Sequence, residues 1–534
     1  MHLLRKPLAA VILPAIAYLG VACESTDTPT GARPRPVASD LTSSNDPTTR
    51  WVNASATVVV APGTSCDNPG YMKIQDAVDH AASGDRINVC PGTYAEQVTV
   101  PLGKDNIRLR SVQRWQAVIK APTVMLPFNG NFIIVHVAGA QGITILAFTI
   151  TGPGPGPCGT LHYGVRVDNG GSADILGNHI TQIRDDPFSG CQNGVAILVG
   201  RQAEGTTGSA RIMGNVIDNY QKNGPTVDNA GSHAEIVNNR ILGIGPTPII
   251  AQNGVQASRG ATAEIRHNFV SGNIYTGVQP AASSGILLFQ PRTVLTEHNT
   301  ATSNDVSIWL NDAPAGSMTP LNRVRASTFD GIAVDAFATG TTGNQVAHNR
   351  TDQNGGPGIG VYGGSQGNTV DDNMVEDNQD SGILLDLGQN NDIGANKVRN
   401  NGSGTSDATD GIRVNMLSTG NTIHDNHLKN NVTHDCHDFS TGSGTAGTAN
   451  TWFNNHGETS VPPALCGEDD DDADFASSDV YGWDPSYPWY TDFGDAADFD
   501  WVAAYATIDT ASLLQLLPQI RLGGIVRPTA SPNE

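Results

Sequence analysis

Four side chains in the second half of the chain are of the kinds that act on sugar polymers: Asp335, Asp386, Arg413 and His437. Two carboxyl groups flanking a glycosidic bond can serve as general acid and base, and inverting hydrolases hold them roughly 6.5 to 9.5 Å apart. A guanidinium or imidazole instead suits proton removal beside a uronate carboxylate, with a cation stabilising the enolate. Calcium is the cofactor that such an eliminative reaction would draw on. Trp309 and Tyr362 offer flat rings for sugar stacking, and Asn311 and Asn415 offer amides for hydroxyl groups.

Residues this far apart meet only if the chain repeats. From about residue 140 to 460 one phrase recurs, an aliphatic residue, two others, Asn, one more, then usually an aliphatic residue, centred on Asn178, Asn215, Asn239, Asn268, Asn299, Asn349, Asn373, Asn396, Asn426 and Asn455. Phe148 fits as an earlier member, and Ser327 fills the long gap between Asn299 and Asn349. A second phrase is Gly followed by alternating aliphatic residues, as in Gly164-Val165-Arg166-Val167, Gly194-Val195-Ala196-Ile197, Gly331-Ile332-Ala333-Val334, Gly382-Ile383-Leu384-Leu385 and Gly411-Ile412-Arg413-Val414. Period-two alternation over four or five residues predicts short strands. A repeat of this length cannot bury an apolar face alone, so it must stack.

The predicted architecture is therefore an all-β parallel β-helix, with Asn at a corner in the left-handed conformation and its amides in register. Alignment of the Gly phrases builds two outward columns. One reads Arg166, Ala196, Gln256, Leu287, Trp309, Ala333, Gly360, Leu384, Arg413, His437; the other reads Asp168, Leu198, Ser258, Phe289, Asn311, Asp335, Tyr362, Asp386, Asn415, Phe439. Asp335 and Asp386 fall two coils apart, about 9.6 Å along the axis, which admits an inverting pair.

The Asn corner, the Gly-Ile/Val strand starts and the entry Ile74-Gln75-Asp76-Ala77-Val78, Gly84-Asp85-Arg86-Ile87-Asn88-Val89, Pro91-Gly92-Thr93-Tyr94 resemble the right-handed β-helix repeats of the pectin lyase-like superfamily over about residues 55 to 460. The resemblance implies that the entry is a capping helix followed by the first coil. Independently, Ile74, Ala77, Val78 and Ala81 make one apolar helical stripe suited to closing the end of the column. It also implies an extracellular polysaccharide as partner, approached by lyase, epimerase or hydrolase chemistry. No catalytic subfamily is matched, since the chain has no Gly-His-Gly, Asp-Phe-Ile-Phe-Gly or Arg-x-Pro-x-x-Arg segment. A non-catalytic β-helix that binds glycan or protein is the alternative.

The remaining segments bear on compartment. The start carries Arg5, Lys6 and an apolar run from Leu8 to Leu19, then Leu19-Gly20-Val21-Ala22-Cys23, which resembles a bacterial lipobox with Cys23 as the lipidated residue. An ordinary cleaved signal peptide is the other reading. Both predict export, with residues 1–23 as leader, 24–55 as a flexible tether, 56–466 as the β-helix and 467–534 as an acidic, largely irregular tail with one short helix, Trp501 to Leu517. The only membrane attachment expected is that N-terminal lipid. The remaining cysteines pair by proximity as Cys66 with Cys90, Cys158 with Cys191 and Cys436 with Cys466, the last stapling the C-terminal end. With 52 acidic against 30 basic residues and a net charge of −22, the chain is no nucleic-acid binder. His424, His427, His434 and His437 have metal-like spacing, but the repeat assigns them to different faces, so no metal is expected.

Overall fold

The computed structural model describes residues 48–55 and 63–467. The leader with Cys23, most of the tether and the tail with its predicted helix lie outside these residues. Three parallel sheets of 15, 14 and 13 strands run the length of the repeat. The chain visits the 15-strand sheet, then the 13-strand, then the 14-strand, as in Arg86–Val89, Gly92–Ala95 and Val98–Pro101, and each strand pairs with its counterpart one coil away. Inward Ile, Val and Leu side chains form one continuous buried column from Val52 to Leu465, so that each coil is stabilised by burial against its neighbours.

The helix Ile74–His80 covers the first end, with Ile74, Ala77 and Val78 buried. Its opening N–H groups at Ile74 and Gln75 donate to the two carboxylate oxygens of Glu96 at 2.9 and 3.0 Å, which caps the helix from another segment. Thr49–Val52 is already a strand, paired along its length with Arg86–Val89, so the sheet begins inside the segment predicted as flexible. Thr49 and Val52 are buried in a strand only four residues long, too brief for a periodicity to be read.

Each corner carries its own asparagine ladder. At the first, Asn322 and not Ser327 fills the gap: its Oδ1 receives the Asn299 N–H at 3.0 Å, and its own N–H reaches Asn349 Oδ1 at 2.9 Å. Phe148 holds the ladder's first place as expected, donating to Asn178 Oδ1 at 2.9 Å. Ser327 belongs to a second ladder, between Asn304 and Asn354, Asn378, Asn401 and Asn431. A third runs Asn344, Asn368, Asn391, Asn421, Asn450. The left-handed residue is the one before each asparagine, as at His267, His298, His348, Ala395 and Asp425. The asparagine instead uses its amide to satisfy buried backbone groups of its own and neighbouring coils. His267 and His298, each one place before a ladder asparagine, stack at 4.9 Å.

The outward columns hold from Gln256 to His437 and slip before that. Arg166 lies opposite Leu198, not Ala196, because Gly194 is in the turn with φ +80° while Gly164 lies inside its strand. The slip is two residues, which preserves the inward and outward faces. The strand Asn223–Asp228, with Thr226 and Asp228 facing outward, completes the column.

The disulfides Cys66–Cys90 and Cys158–Cys191 are formed. The third expected bond is not: Cys436 and Cys466 are free thiols. Cys436 does replace Ile412 inward, but the two sulfurs meet as thiols, the Cys466 thiol also donating to the Thr459 carbonyl at 3.5 Å. Closure comes from other groups. Ser460–Val461 pairs with Cys436 and His437 as a last strand, Leu465 and Trp452 are buried, and the Trp452 indole donates to Asp438 at 2.9 Å. Among the described residues no helix is long and apolar enough to cross a membrane.

Candidate functional site

The 14-strand sheet carries every residue singled out from the sequence for chemistry. Its successive strands Val306–Asn311, Ile332–Asp335, Ile359–Tyr362, Ile383–Asp386, Ile412–Val414 and Cys436–Asp438 present Trp309 and Asn311, Asp335, Tyr362, Asp386, Arg413, and His437, with Asn415 directly after the fifth. Register places Asn311 opposite Asp335 and Tyr362 opposite Asp386. It likewise places Leu384 opposite Arg413, and Arg413 opposite His437. The face spans five inter-coil steps, about 24 Å.

Asp335 lies beside Asp330, a carboxyl group that the columns did not contain, which also feels the charge of a second such group, Asp380. Both precede the glycine that starts a strand, in Asp330-Gly331-Ile332 and Asp380-Ser381-Gly382-Ile383. That lead-in acid was legible in the sequence but falls outside an every-second-residue alignment. Gly382 is where a β-carbon would overlap Val398 of the next coil, so the lead-in backbone comes close to the column only because glycine follows.

Tyr362 completes this group. Its ring turns back over Gly360, where a β-carbon would overlap it, and its hydroxyl donates to Asp330. The Asp330 carboxyl is pushed up to about 7, by burial first and by the neighbouring Asp335 and Asp380 charges, against the opposing bond from Tyr362. Burial and Asp330 push the Tyr362 phenol up in turn, so it remains a donor. Asp380 is also raised, chiefly by burial, although Ser406 donates to it at 2.6 Å and the Arg413 charge favours its ionised form. One carboxyl protonated near neutrality beside others is the arrangement that separates acid from base.

Arg413 and His437 do meet, through a residue that the alternating columns leave out: Asp410, one place before the strand-leading Gly411. Asp410 is fully buried; its Oδ2 receives Arg413 at 2.8 Å, and its Oδ1 receives both His434 Nδ1 and His437 Nδ1 at 3.1 Å. Burial opposes its ionisation, but the His437 and Arg413 hydrogen bonds outweigh that and hold the carboxyl below its usual range. Arg413 also donates to Asn415 at 3.1 Å and lies 4.4 Å over Phe439. Because Arg413 acts on both Asp380 and Asp410, the two groups are contiguous.

At the other end of the face, Trp309 is half-buried and Asn311 buried, and the Trp309 Nε1 and Asn311 Oδ1 atoms have no hydrogen-bond partner among the described residues. Asp386 is half-buried between Tyr362 and Asn415 in the column. The earlier column members Arg166 and Asp168 form a different structure. They join His136 and Glu204 in an ion cluster with bonds of 2.5 to 2.8 Å, and both are 0% exposed, so nothing from solvent reaches them. The four histidines do not converge: His424 pairs with Asp392 and Asp425, and His427 stacks on His456. Cys158, Cys191 and Asp185 cluster as well, but the two sulfurs are bonded to each other.

A right-handed coil of three parallel sheets, with a polar face along one of them, defines the class. The chain belongs to the family described as right handed beta helix region, which matches residues 133–319, 196–373 and 318–461. No curated protein matches it. Similar solved structures include the A-module of the mannuronan C-5 epimerase AlgE6 of Azotobacter vinelandii, at 14% identity over 73% of this chain and 94% of that one, with a TM-score of 0.38. The alginate lyase AlyF-OU02 is 13% identical over 73% and 87%, with a TM-score of 0.45. The DFA-IIIase of Arthrobacter chlorophenolicus A6 without its lid is 14% identical over 71% and 94%, with a TM-score of 0.41. At such identities the likeness is one of fold.

Proposed function

We propose that this protein is an exported, surface-associated enzyme that hydrolyses an extracellular polysaccharide on the 14-strand face. The observation that carries the proposal is the Tyr362–Asp330 contact beside Asp335 and Asp380, a carboxyl poised near neutrality among carboxylates. In this reading Asp330 gives its proton to the glycosidic oxygen as the bond to the anomeric carbon breaks. Asp335 or Asp380 takes a proton from the attacking water. Asp330 and Asp380 lead into strands two coils apart, about 9.6 Å along the axis, which leaves room for that water. Trp309 and Asn311 on one side, and Asn415 on the other, serve as sugar subsites, with Asp386 lining the path between them. Arg413 and His437 suit an acidic sugar more than a neutral one. Two disulfides in a chain with a leader-like start support export; attachment through Cys23 is part of the same proposal.

Purified protein incubated with neutral and acidic glycans, with and without calcium, tests it. The expected result is new reducing ends without unsaturated-uronate absorbance, lost in Asp330→Asn. Unsaturated products would replace hydrolysis by an eliminative reaction at Arg413 and His437. Binding without any product, unchanged in Asp330→Asn, would leave a glycan-binding surface protein.

A further inference from the structure

We propose that Asp410, His434 and His437 form a binding site for a zinc-type divalent metal ion, which shares His437 and Arg413 with the proposed sugar face but is tested by metal binding without reference to hydrolysis. Two imidazole nitrogens and one carboxylate oxygen are the donor set that zinc takes. Their geometry is what sets them apart from a plain polar cluster. Around a tetrahedral ion with bonds of about 2.0 Å, donor atoms stand about 3.3 Å from one another. Here Asp410 Oδ1 is 3.1 Å from each of the two Nδ1 atoms, and all three donor atoms lie within 4.8 Å of one another. The two rings are nearly perpendicular, at 74° with centroids 4.7 Å apart, and both turn Nδ1 to the same carboxylate oxygen instead of stacking.

The surroundings fix those donors. Arg413 holds the other carboxylate oxygen at 2.8 Å, which orients Asp410 with Oδ1 toward the two Nδ1 atoms; the ion would take the place of the two N–H···Oδ1 bonds, each ring giving up its Nδ1 proton to solvent. Phe439 lies against the His437 ring at 3.9 Å and under the Arg413 guanidinium at 4.4 Å, which restrains both. Asp410 and His437 are buried, whereas His434 is half-exposed and provides the entry side. Three protein donors leave a fourth position open, as in zinc sites that accept water or a ligand. The donors come from two coils, Asp410 leading into one strand and His434 and His437 bracketing the start of the next, so the ion would cross-link the last coils of the solenoid.

The test uses the full chain, stripped with chelator, loaded with zinc, dialysed and measured for metal by mass spectrometry, with cobalt as a spectroscopic substitute. The expected result is one zinc retained per chain and the visible absorption of four-coordinate cobalt. Affinity should fall at least tenfold in both His434→Ala and His437→Ala, and stay unchanged in His298→Ala, a histidine of another stack. His434 is exposed enough that its replacement leaves the coil intact, and a thermal melt matching the parent checks that. No retained zinc, or zinc retained equally by His434→Ala, would overturn the site. The second outcome would assign the ion to another part of the chain.

Discussion

The phenol ring of Tyr362 lies across the backbone of Gly360, so close that a β-carbon at 360 would overlap it. That placement carries the hydroxyl from one outward column across the strand to Asp330. A residue with any side chain at 360 would leave Tyr362 standing outward, opposite Asp386, and Asp330 without its donor.

Tyr362→Phe keeps the ring and removes the bond to Asp330. Since that bond lowers the Asp330 pKa, its loss raises it, and the acid stays protonated to higher pH. The alkaline limb of kcat/KM should therefore move up by about one pH unit or more, because a hydrogen bond to a charged group is worth about 1.5 kcal/mol or more. Gly360→Ala should act in the same direction and also lower the rate. An unchanged alkaline limb in both variants would remove Asp330 as the acid.

Asp330→Asn should separate activity from stability. The folded-state pKa of about 7 lies above that of the unfolded chain, so Asp330 costs nothing below the unfolded value. Stability is then lost as pH rises toward and through 7. Calorimetry should show the variant melting above the parent at pH 8 and level with it near pH 3, while hydrolysis is abolished. A variant that melts lower at pH 8 would contradict the placement of that carboxyl.

Asn349→Ala removes a ladder rung whose Oδ1 accepts from the N–H and the amide of Asn322, at 2.9 and 3.0 Å. Its own amide donates to Thr319, Ala347 and Asn373. Each orphaned buried group costs about 1 to 3 kcal/mol, so the loss should exceed about 3 kcal/mol. Urea melts followed by circular dichroism would measure it, and a cost under 1 kcal/mol would show that water replaces the rung.

Cys436 should resist alkylation in the native protein. Burial first, then the adjoining Cys466 thiol, pushes its pKa well up, and the thiol is the unreactive form. Peptide mapping after iodoacetamide treatment should find Cys466 modified and Cys436 untouched until urea is added. A linked Cys436–Cys466 peptide before reduction would show instead that the two thiols join.

The repeat was legible in the chain because its cause is local: strands of four or five residues alternate inward and outward, and a buried corner must pair its backbone groups, so Asn recurs at the turn. The 14-strand columns from Trp309 to His437 follow from the same alternation, and the capping helix from its apolar stripe at helical spacing. The tertiary structure decided what periodicity cannot express. Whether a glycine stands in a strand, like Gly164, or in the turn before it, like Gly194, depends on the neighbouring coil, and this sets the register of Arg166. Likewise Asp330, Asp380 and Asp410 sit in lead-in turns outside the alternation; Asp410 meets Arg413 within its own coil, but only the stacking of coils brings Asp380 to Asp330 and His437 to Asp410. The choice between a carboxyl kept near neutrality and one held ionised is a property of burial and neighbours, which the order of residues along one coil does not contain.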